Sequence, residues 1–412
     1  MKNFMVLWGY EFKKIIISRL TVVMLAIVAG LLFYLGLGWE ASNNQLLNDL
    51  KGPLTEEKYQ IVMKAYEQIQ TNGAGSETDF VTIESLDKNY STKDILETHH
   101  TVESILYESK NRQEVIQRAK NNIERCRGDA NKVYFLRYNQ KVLDAYQGRG
   151  ELMLADTGGW RKALPFLSNT NPFNPSDILF GLLFICCLCP LFAREHETGI
   201  LSLIHTTRNG KSKLFWAKMG SAGAFILVSL LLFFAIWVFA VSTRFTISDP
   251  FAPIQVIETY QKSPFNVSIL GFLAVILLFK AAFFFLLFLI VSIAGLLFKN
   301  RFAALVTGLF FYTVFFLTLF VPVGLREIDY ASLVFKQQNL LWNVGSLSMQ
   351  PHQYFVDFSY VNIGGWPVET IAVPLSILLV LLFVLMLFCC RLYRRERKGC
   401  RKIERKQKTN QV

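Results

Sequence analysis

The sequence predicts an all-α polytopic membrane protein: six transmembrane helices, an N-terminal interfacial helix, and a mostly helical extracytoplasmic domain between helices one and two. Three observations predict it. Six long apolar runs interrupt a chain of 412 residues that is 52% hydrophobic and holds 36 Phe. Basic residues gather at the ends of alternate runs, and a long stretch of mixed charge separates the first run from the second. About 20 residues of helix cross ~30 Å of hydrocarbon. Backbone polar groups inside it must pair within the segment, so each run is expected to be helical.

The runs are Leu20–Trp39, Asp177–Phe192, Leu214–Val241, Val267–Phe298, Phe302–Leu325 and Thr370–Cys390. They divide the chain into 1–39 (interfacial helix and first span), 40–176 (extracytoplasmic domain), 177–390 (spans two to six) and 391–412 (basic tail). Ahead of the first run, Phe4, Leu7, Trp8, Phe12 and Ile15 recur on one helical face, with Lys13 and Lys14 turned toward head groups. The first run is too long for a signal peptide and no A-x-A site follows, so it reads as an uncleaved anchor. The second run is short unless it tilts little or Pro190 ends it near the surface; the fourth is too long for one straight span and is expected to bend or to extend out of the bilayer.

Within 40–176, Pro53-Leu54-Thr55-Glu56-Glu57 opens a helix, and Asn72 to Ser76 is a break. Ser91-Thr92-Lys93-Asp94 starts a second helix running through Ile95, Val102, Ile105 and Val115 to Ile123. Arg127-Gly128-Asp129 then turns the chain into Val133–Tyr146. Cys126 is the one cysteine of this stretch, so its stability is expected from packing and not from a disulfide. The outer loop 323–369 carries Phe335, Trp342, Tyr354, Phe355, Phe358, Tyr360 and Trp366, rings that favour the membrane–water interface.

Orientation follows from Lys and Arg. Four precede or open the first span, five lie in 193–218, two in 299–301 and ten in the tail after Cys390, all on one side of a six-span chain. Both termini are therefore expected in the cytoplasm, with 40–176 outside a multi-pass plasma-membrane protein. The net charge of +12 sits at span ends, which points to topology and anionic lipid rather than nucleic acid.

Enzyme constellations are not found. The five His residues have no metal-ligand spacing, and the adjacent His99 and His100 would point about 100° apart on a helix. His205–Ser212 (HTTRNGKS) ends like a phosphate-binding loop but has His205 in place of the first Gly and no strand before it. No catalytic, metal or cofactor site is therefore expected on this chain. Lys280, inside the fourth run, would cost about 2.5–3.5 kcal/mol at a bilayer centre. It is expected near mid-membrane, in a translocation path or an intramembrane pairing. Asp177, Glu258 and Glu369 lie near span ends, too far apart in depth to form an obvious site with it.

Between spans two and three, Phe192, Glu195, Glu197, Gly199, Leu201, Leu203, Thr206, Arg208 and Lys218 form a run. It resembles the F-x-x-E-x-E-x-G-x-L-x-L…T…R…K pattern of ABC-2 type transporter permeases. Where many members carry Pro after the Thr, this chain has Thr207. The resemblance covers about 1–40 and 177–395, and the long insert is similar to that of many Gram-positive members. It implies a cytoplasmic coupling helix in the loop 193–213 that docks into a separate ABC ATP-binding subunit. The docking residues would be Arg194, Glu195, Glu197, Gly199, Ile200, Leu201, Leu203, Ile204, Thr206 and Arg208. It further implies a second permease copy or homologue as partner, ATP and Mg on the ATPase chain, and export of a peptide, antimicrobial or other amphipathic compound. A membrane sensor or receptor with an extracytoplasmic ligand-binding domain is the alternative.

Overall fold

The structure is a computed structural model and describes residues 2–38, 43–72, 79–150, 153–167, 175–199, 212–320, 342–356 and 358–409. Six of its helices are long and apolar enough to cross a membrane. The protein is thus helical and polytopic in character, and short two-stranded ribbons are its only sheets among the described residues.

Helix α1 (Lys2–Ile16) is separated from α2 (Arg19–Leu37) by Ser18, whose extended backbone breaks the helix. Its hydroxyl then accepts from Thr21 N at 3.2 Å and caps α2. The insert begins with α3 (Gln45–Asp49) and α4 (Glu56–Asn72). It continues through α5 (Thr92–Cys126), α6 (Val133–Gln147) and α7 (Gly158–Ala163). Spans two to six follow as α8 (Pro175–Leu188) with α9 (Pro190–Glu197), α10 (Lys213–Ser242), α11 (Ile269–Phe298), α12 (Arg301–Phe320) and α14 (Ala372–Thr409). The short α13 (Ser346–Met349) precedes the last.

Pro190 does not end the second span. The chain runs on as one apolar unit from Ser176 to Glu197, with the hydrogen-bond ladder interrupted at Pro190 while the Cys189 backbone stays helical. Proline lacks the N–H that would bond the carbonyl four residues back. That carbonyl, Cys186 O, instead receives the Cys189 thiol at 3.5 Å. The freed acceptor is satisfied locally, so the helical run continues past the proline. The over-long fourth run is one 30-residue helix, rising about 45 Å. It is capped by Ser268, which accepts from Gly271 N at 3.1 Å, and closed by Lys299 in the left-handed region at φ 57°.

The bundle core is a ladder of interlocked rings. Phe166 stacks on Trp237 at 5.0 Å, Phe180 on Phe233 at 5.5 Å, and Phe184 meets Phe225 edge-on. Such pairs add about 0.5–1.5 kcal/mol each beyond their buried area. The second span is the central element, with 72% of its apolar window buried, against 17% for α12 and α14.

The insert has its own core of Leu46, Leu47, Val62, Ile83, Ile95 and Val102, among others. Ser91 caps α5 by accepting from Asp94 N at 3.1 Å, and the 35 residues of this helix extend about 52 Å. Its far half pairs with α6 around Ala119, Val142 and Tyr146. Residues 80–91, for which the periodicity predicts no element, form a hairpin of β2 (Phe80–Ile83) and β3 (Lys88–Ser91), turning at Asp87 with φ 49°. A smaller ribbon pairs β1 (Gly52–Pro53) with β4 (Met153–Leu154). A third hairpin joins β5 (Tyr360–Ile363) to β6 (Trp366–Glu369) across Gly364-Gly365, both at positive φ, as a two-residue turn of the I′ type requires.

The insert is fastened to the bundle. Trp160 Nε1 donates to Ser248 O at 2.5 Å, Lys51 pairs with Asp249, and Arg137 donates to Gly365 O at 3.0 Å while stacking on Trp366.

Gly181 in α8 marks a close contact between the second span and α12. A Cβ there would stand 2.7 and 2.8 Å from Tyr312 Cε2 and Cε1. Gly181→Ala is expected to destabilise the folded protein by about 1–3 kcal/mol through overpacking. Gly30→Ala in α2, with nothing within 4 Å, should leave it unchanged or slightly firmer. Melting temperatures of the two variants in detergent check this; equal values would show that α12 yields freely.

Candidate functional site

Two clusters of buried charge stand at opposite ends of the bundle. The first lies at the end that carries α1 and the start of α10. Lys218, six residues into α10, is fully buried and donates to Glu195 Oε1 at 2.5 Å and to Leu191 O at 2.6 Å. Glu11 of α1 lies 3.8 Å from Lys218 Nζ. Lys14 approaches Glu11 at 3.8 Å and Glu195 at 3.4 Å. Two carboxylates and two ammonium groups thus close a neutral knot among α1, α9 and α10. Phe192 covers it, with its ring centre 5.2 Å from Lys218 Nζ, and Tyr393 of α14 packs on Phe192 and Phe215. Ser221 Oγ donates to Trp8 O at 3.0 Å, fastening α1 a second time.

Glu197 makes a separate contact. It accepts from Arg301 N at 2.7 Å and from the Arg301 guanidinium. A carboxylate on the first N–H of α12 meets the positive end of that helix dipole. Gly199, at φ 68°, closes α9, its N–H donating to His196 O at 3.1 Å. That is the glycine C-terminal stop expected of a helix end.

The residues singled out from sequence therefore divide. Glu195 is 5% exposed and holds its neighbours inside the bundle. Glu197 ties two spans together, while the Arg194 side chain faces outward. Ile200, Leu201, Leu203, Ile204, Thr206 and Arg208 lie outside the described residues. Reasoning from sequence missed Glu11 and Lys14 as partners of Glu195. The available signal was a lone acid among the N-terminal basic residues, three positions before Lys14.

The second cluster is at the insert end. Lys280 is fully buried, pairs with Asp177, and donates to Ser348 O at 2.6 Å. Tyr312 Oη donates to Asp177 O at 2.7 Å. This corrects one expectation. Asp177 is not too distant in depth from Lys280, because α11 overshoots the second span at this end. Asp177 lies 20 residues before Glu197, and Lys280 18 before Phe298; at 1.5 Å per residue both stand roughly 27–30 Å from the α1 end. The pair therefore sits near the insert end of the second span and at the twelfth residue of α11. Asp177 Oδ2 and Ser348 Oγ have no partner among the described residues.

Part of the loop before the last span packs on the bundle. Val344, Ser346, Leu347 and Ser348 are buried against the bundle, as are Tyr354 and Phe355, whereas Trp342 and Trp366 are exposed. The buried part carries the carbonyl that Lys280 needs, which draws it inward from the interface. Residues 323–341 of this loop lie outside the described residues. No group of three or more His, Cys, Asp or Glu able to hold a metal ion occurs among the described residues.

Removing one member of a buried pair strands the other. Lys218→Met and Lys280→Leu are each expected to cost about 3–5 kcal/mol, and Lys218→Met/Glu195→Leu and Lys280→Leu/Asp177→Leu to recover most of it. Melting in detergent reads both series. A single variant as stable as the parent, or a double variant no better than its single, would show that the pair does not hold these helices.

Against protein-family models and curated proteins, the chain gives no match.

Proposed function

We propose that this chain is the permease subunit of an ATP-driven ABC transporter, worked by a separate ATP-binding subunit. One observation carries the reading. Phe192, Glu195, Glu197 and Lys218, the family-like residues at the two ends of the segment between spans two and three, brace it against α1, α10 and α12. A connector that merely rested on lipid would have no need of buried ion pairs. A segment that must deliver a push to several helices needs stiff ends.

In this reading the α1 end and both termini are cytoplasmic, as the basic residues favour. ATP and Mg bind the partner chain, whose closure moves the segment 198–213. The apolar ridge Ile200, Leu201, Leu203 and Ile204 fills a groove on that partner, with Arg194 and Arg208 at its margin. The sparsely buried flanks of α12 and α14 face lipid or a second permease copy. The Lys280–Asp177 pair closes the far end of the bundle, and its separation accompanies opening toward the insert. The cargo class is an exported peptide or other amphipathic compound.

The test is co-expression of the full chain with an ATP-binding-cassette subunit encoded beside it. The pair should co-purify, and Leu201→Asp/Leu203→Asp should reduce capture about tenfold or more, since the loss of an anchoring apolar contact exceeds ~1.4 kcal/mol. ATP hydrolysis by the purified chain alone would overturn the reading. So would labelling of the Leu203→Cys variant at its new thiol from outside intact cells.

A further inference from the structure

The last span does not stop where its apolar residues stop. Helix α14 runs from Ala372 to Thr409 as one helix of 38 residues. Its apolar part, residues 372–390, rises about 28 Å and by itself fills the ~30 Å of a hydrocarbon core. Residues 391–409 continue the same helix for about 28 Å more. This second half carries ten Lys and Arg against two Glu.

Those charges are one-sided. At about 100° per residue, the positions 391–408 take evenly spaced places around the helix. The ten basic positions fill ten successive places, about half of the circumference. The other eight, Tyr393, Glu396, Cys400, Ile403 and Glu404 among them, fill the opposite half. Basic residues placed only to set topology need no such order, since the positive-inside rule counts charge and not the face that carries it.

Tyr393 fixes which half starts against the bundle. It is 2% exposed and packs on Phe192 and Phe215, with ring centres 6.0 and 5.5 Å away. Arg391, Arg394 and Arg395 are exposed. The basic half therefore begins on the side away from the core. Phe192 and Phe215 also bracket the segment 198–213, so α14 leaves the bundle beside that segment.

Anionic lipid reaches only the base of the basic half. Head groups occupy roughly the first 6 Å beyond the hydrocarbon, and their attraction is screened within ~8 Å more. Arg401 stands about 16 Å past Cys390 along the helix, and about 15 Å out at the ~20° tilt usual for spans. Arg401, Lys402, Arg405, Lys406 and Lys408 thus lie beyond that range. A second copy of this chain would present a like-charged half and be repelled. An acidic protein surface beside the segment 198–213 meets both the sign and the reach.

We propose that the basic half of α14 docks on an acidic face of the ATP-binding subunit, as a second contact beside the segment 198–213. The proposal rests on the reading of this chain as a permease. It adds to that reading the sign and length of the partner's surface, a negative strip about 28 Å long.

The experiment is capture of the co-expressed ATP-binding-cassette subunit by the full chain in detergent. The test variant is Glu396→Arg/Arg397→Glu/Glu404→Arg/Arg405→Glu. It keeps net charge and composition, and exchanges two cations of the basic half for the two acids of the Tyr393 half. Capture should fall about tenfold or more, while the variant melts as the parent does. Arg401→Gln/Lys402→Gln removes charge without inverting it; it should lower capture severalfold, and it reads the same face if the exchanged protein does not fold. Capture by the parent should also weaken as salt rises from about 0.1 to 1 M, over which the screening length falls from ~10 to ~3 Å. Capture that both variants leave unchanged would overturn the docking face and leave the permease reading in place. A parent chain that captures no subunit would overturn both. Retention of duplex DNA by the parent, lost in the exchange variant while subunit capture stays unaltered, would assign the face to nucleic acid and overturn the proposal.

Discussion

A lysine drawn out of water into an apolar bundle must find a carboxylate and a carbonyl there, or it will not be drawn in. Lys218 and Lys280 are both fully buried, and each finds both: Glu195 with Leu191 O, and Asp177 with Ser348 O. The desolvation of such ions costs several kcal/mol each and is offset only by close, well-bonded partners. That requirement fixes where the helices stand. It sets α9 against α10 and α1 at one end, and α8 against α11 and α13 at the other.

Both acids belong to the second span. Asp177 is near its start and Glu195 near its finish, and Pro190 interrupts the hydrogen-bond ladder between them. The most enclosed helix of the bundle is therefore pinned at each end, with one ladder bond missing near one of them. A proline ring removes a donor and crowds the preceding turn. Here the Cys189 thiol takes up the freed carbonyl, so the missing bond leaves no stranded acceptor. Glu195 lies only five residues beyond Pro190.

Much of the fold was legible because apolar density is a local property. The first, third and fourth runs became helices within two residues of their expected ends, whereas the second runs on to Glu197 and the last past Cys390 to Thr409; the helix after Ser91 followed from a cap and a sustained period. Partner choice was not legible, since no window of sequence holds both Lys280 and Asp177, which are 103 positions apart. The lysine could be flagged by its cost alone; its partner needed the relative lengths of two helices. The 80–91 hairpin escaped because four-residue strands carry too little alternation to stand out. At the candidate site, Glu195 and Glu197 looked outward by charge, yet tertiary pairing turned them to structural work. Arg194 and Glu197 both keep an exposed position, Glu197 while bound to Arg301.

The two pinned ends are linked through rigid elements as well as through the second span. Helix α10 begins near Lys218 and ends at Ser242; the loop that follows holds Asp249, Gln255 and Gln261 before α11 carries the chain back to Lys280. That loop is also the insert's main seat, through Lys51, Ser104, Arg149 and Trp160. A shift of α10 along its axis at the α1 end would thus be felt by the loop, and through it by the insert. Transmission of this kind requires an element with two arrangements, not contiguity alone. Pro190 removes one rung of the second span's hydrogen-bond ladder. Glu195 stands on the shorter side of that missing rung and Asp177 on the longer, so the side that holds Lys280 is the one packed in the ring ladder through Phe180 and Phe184.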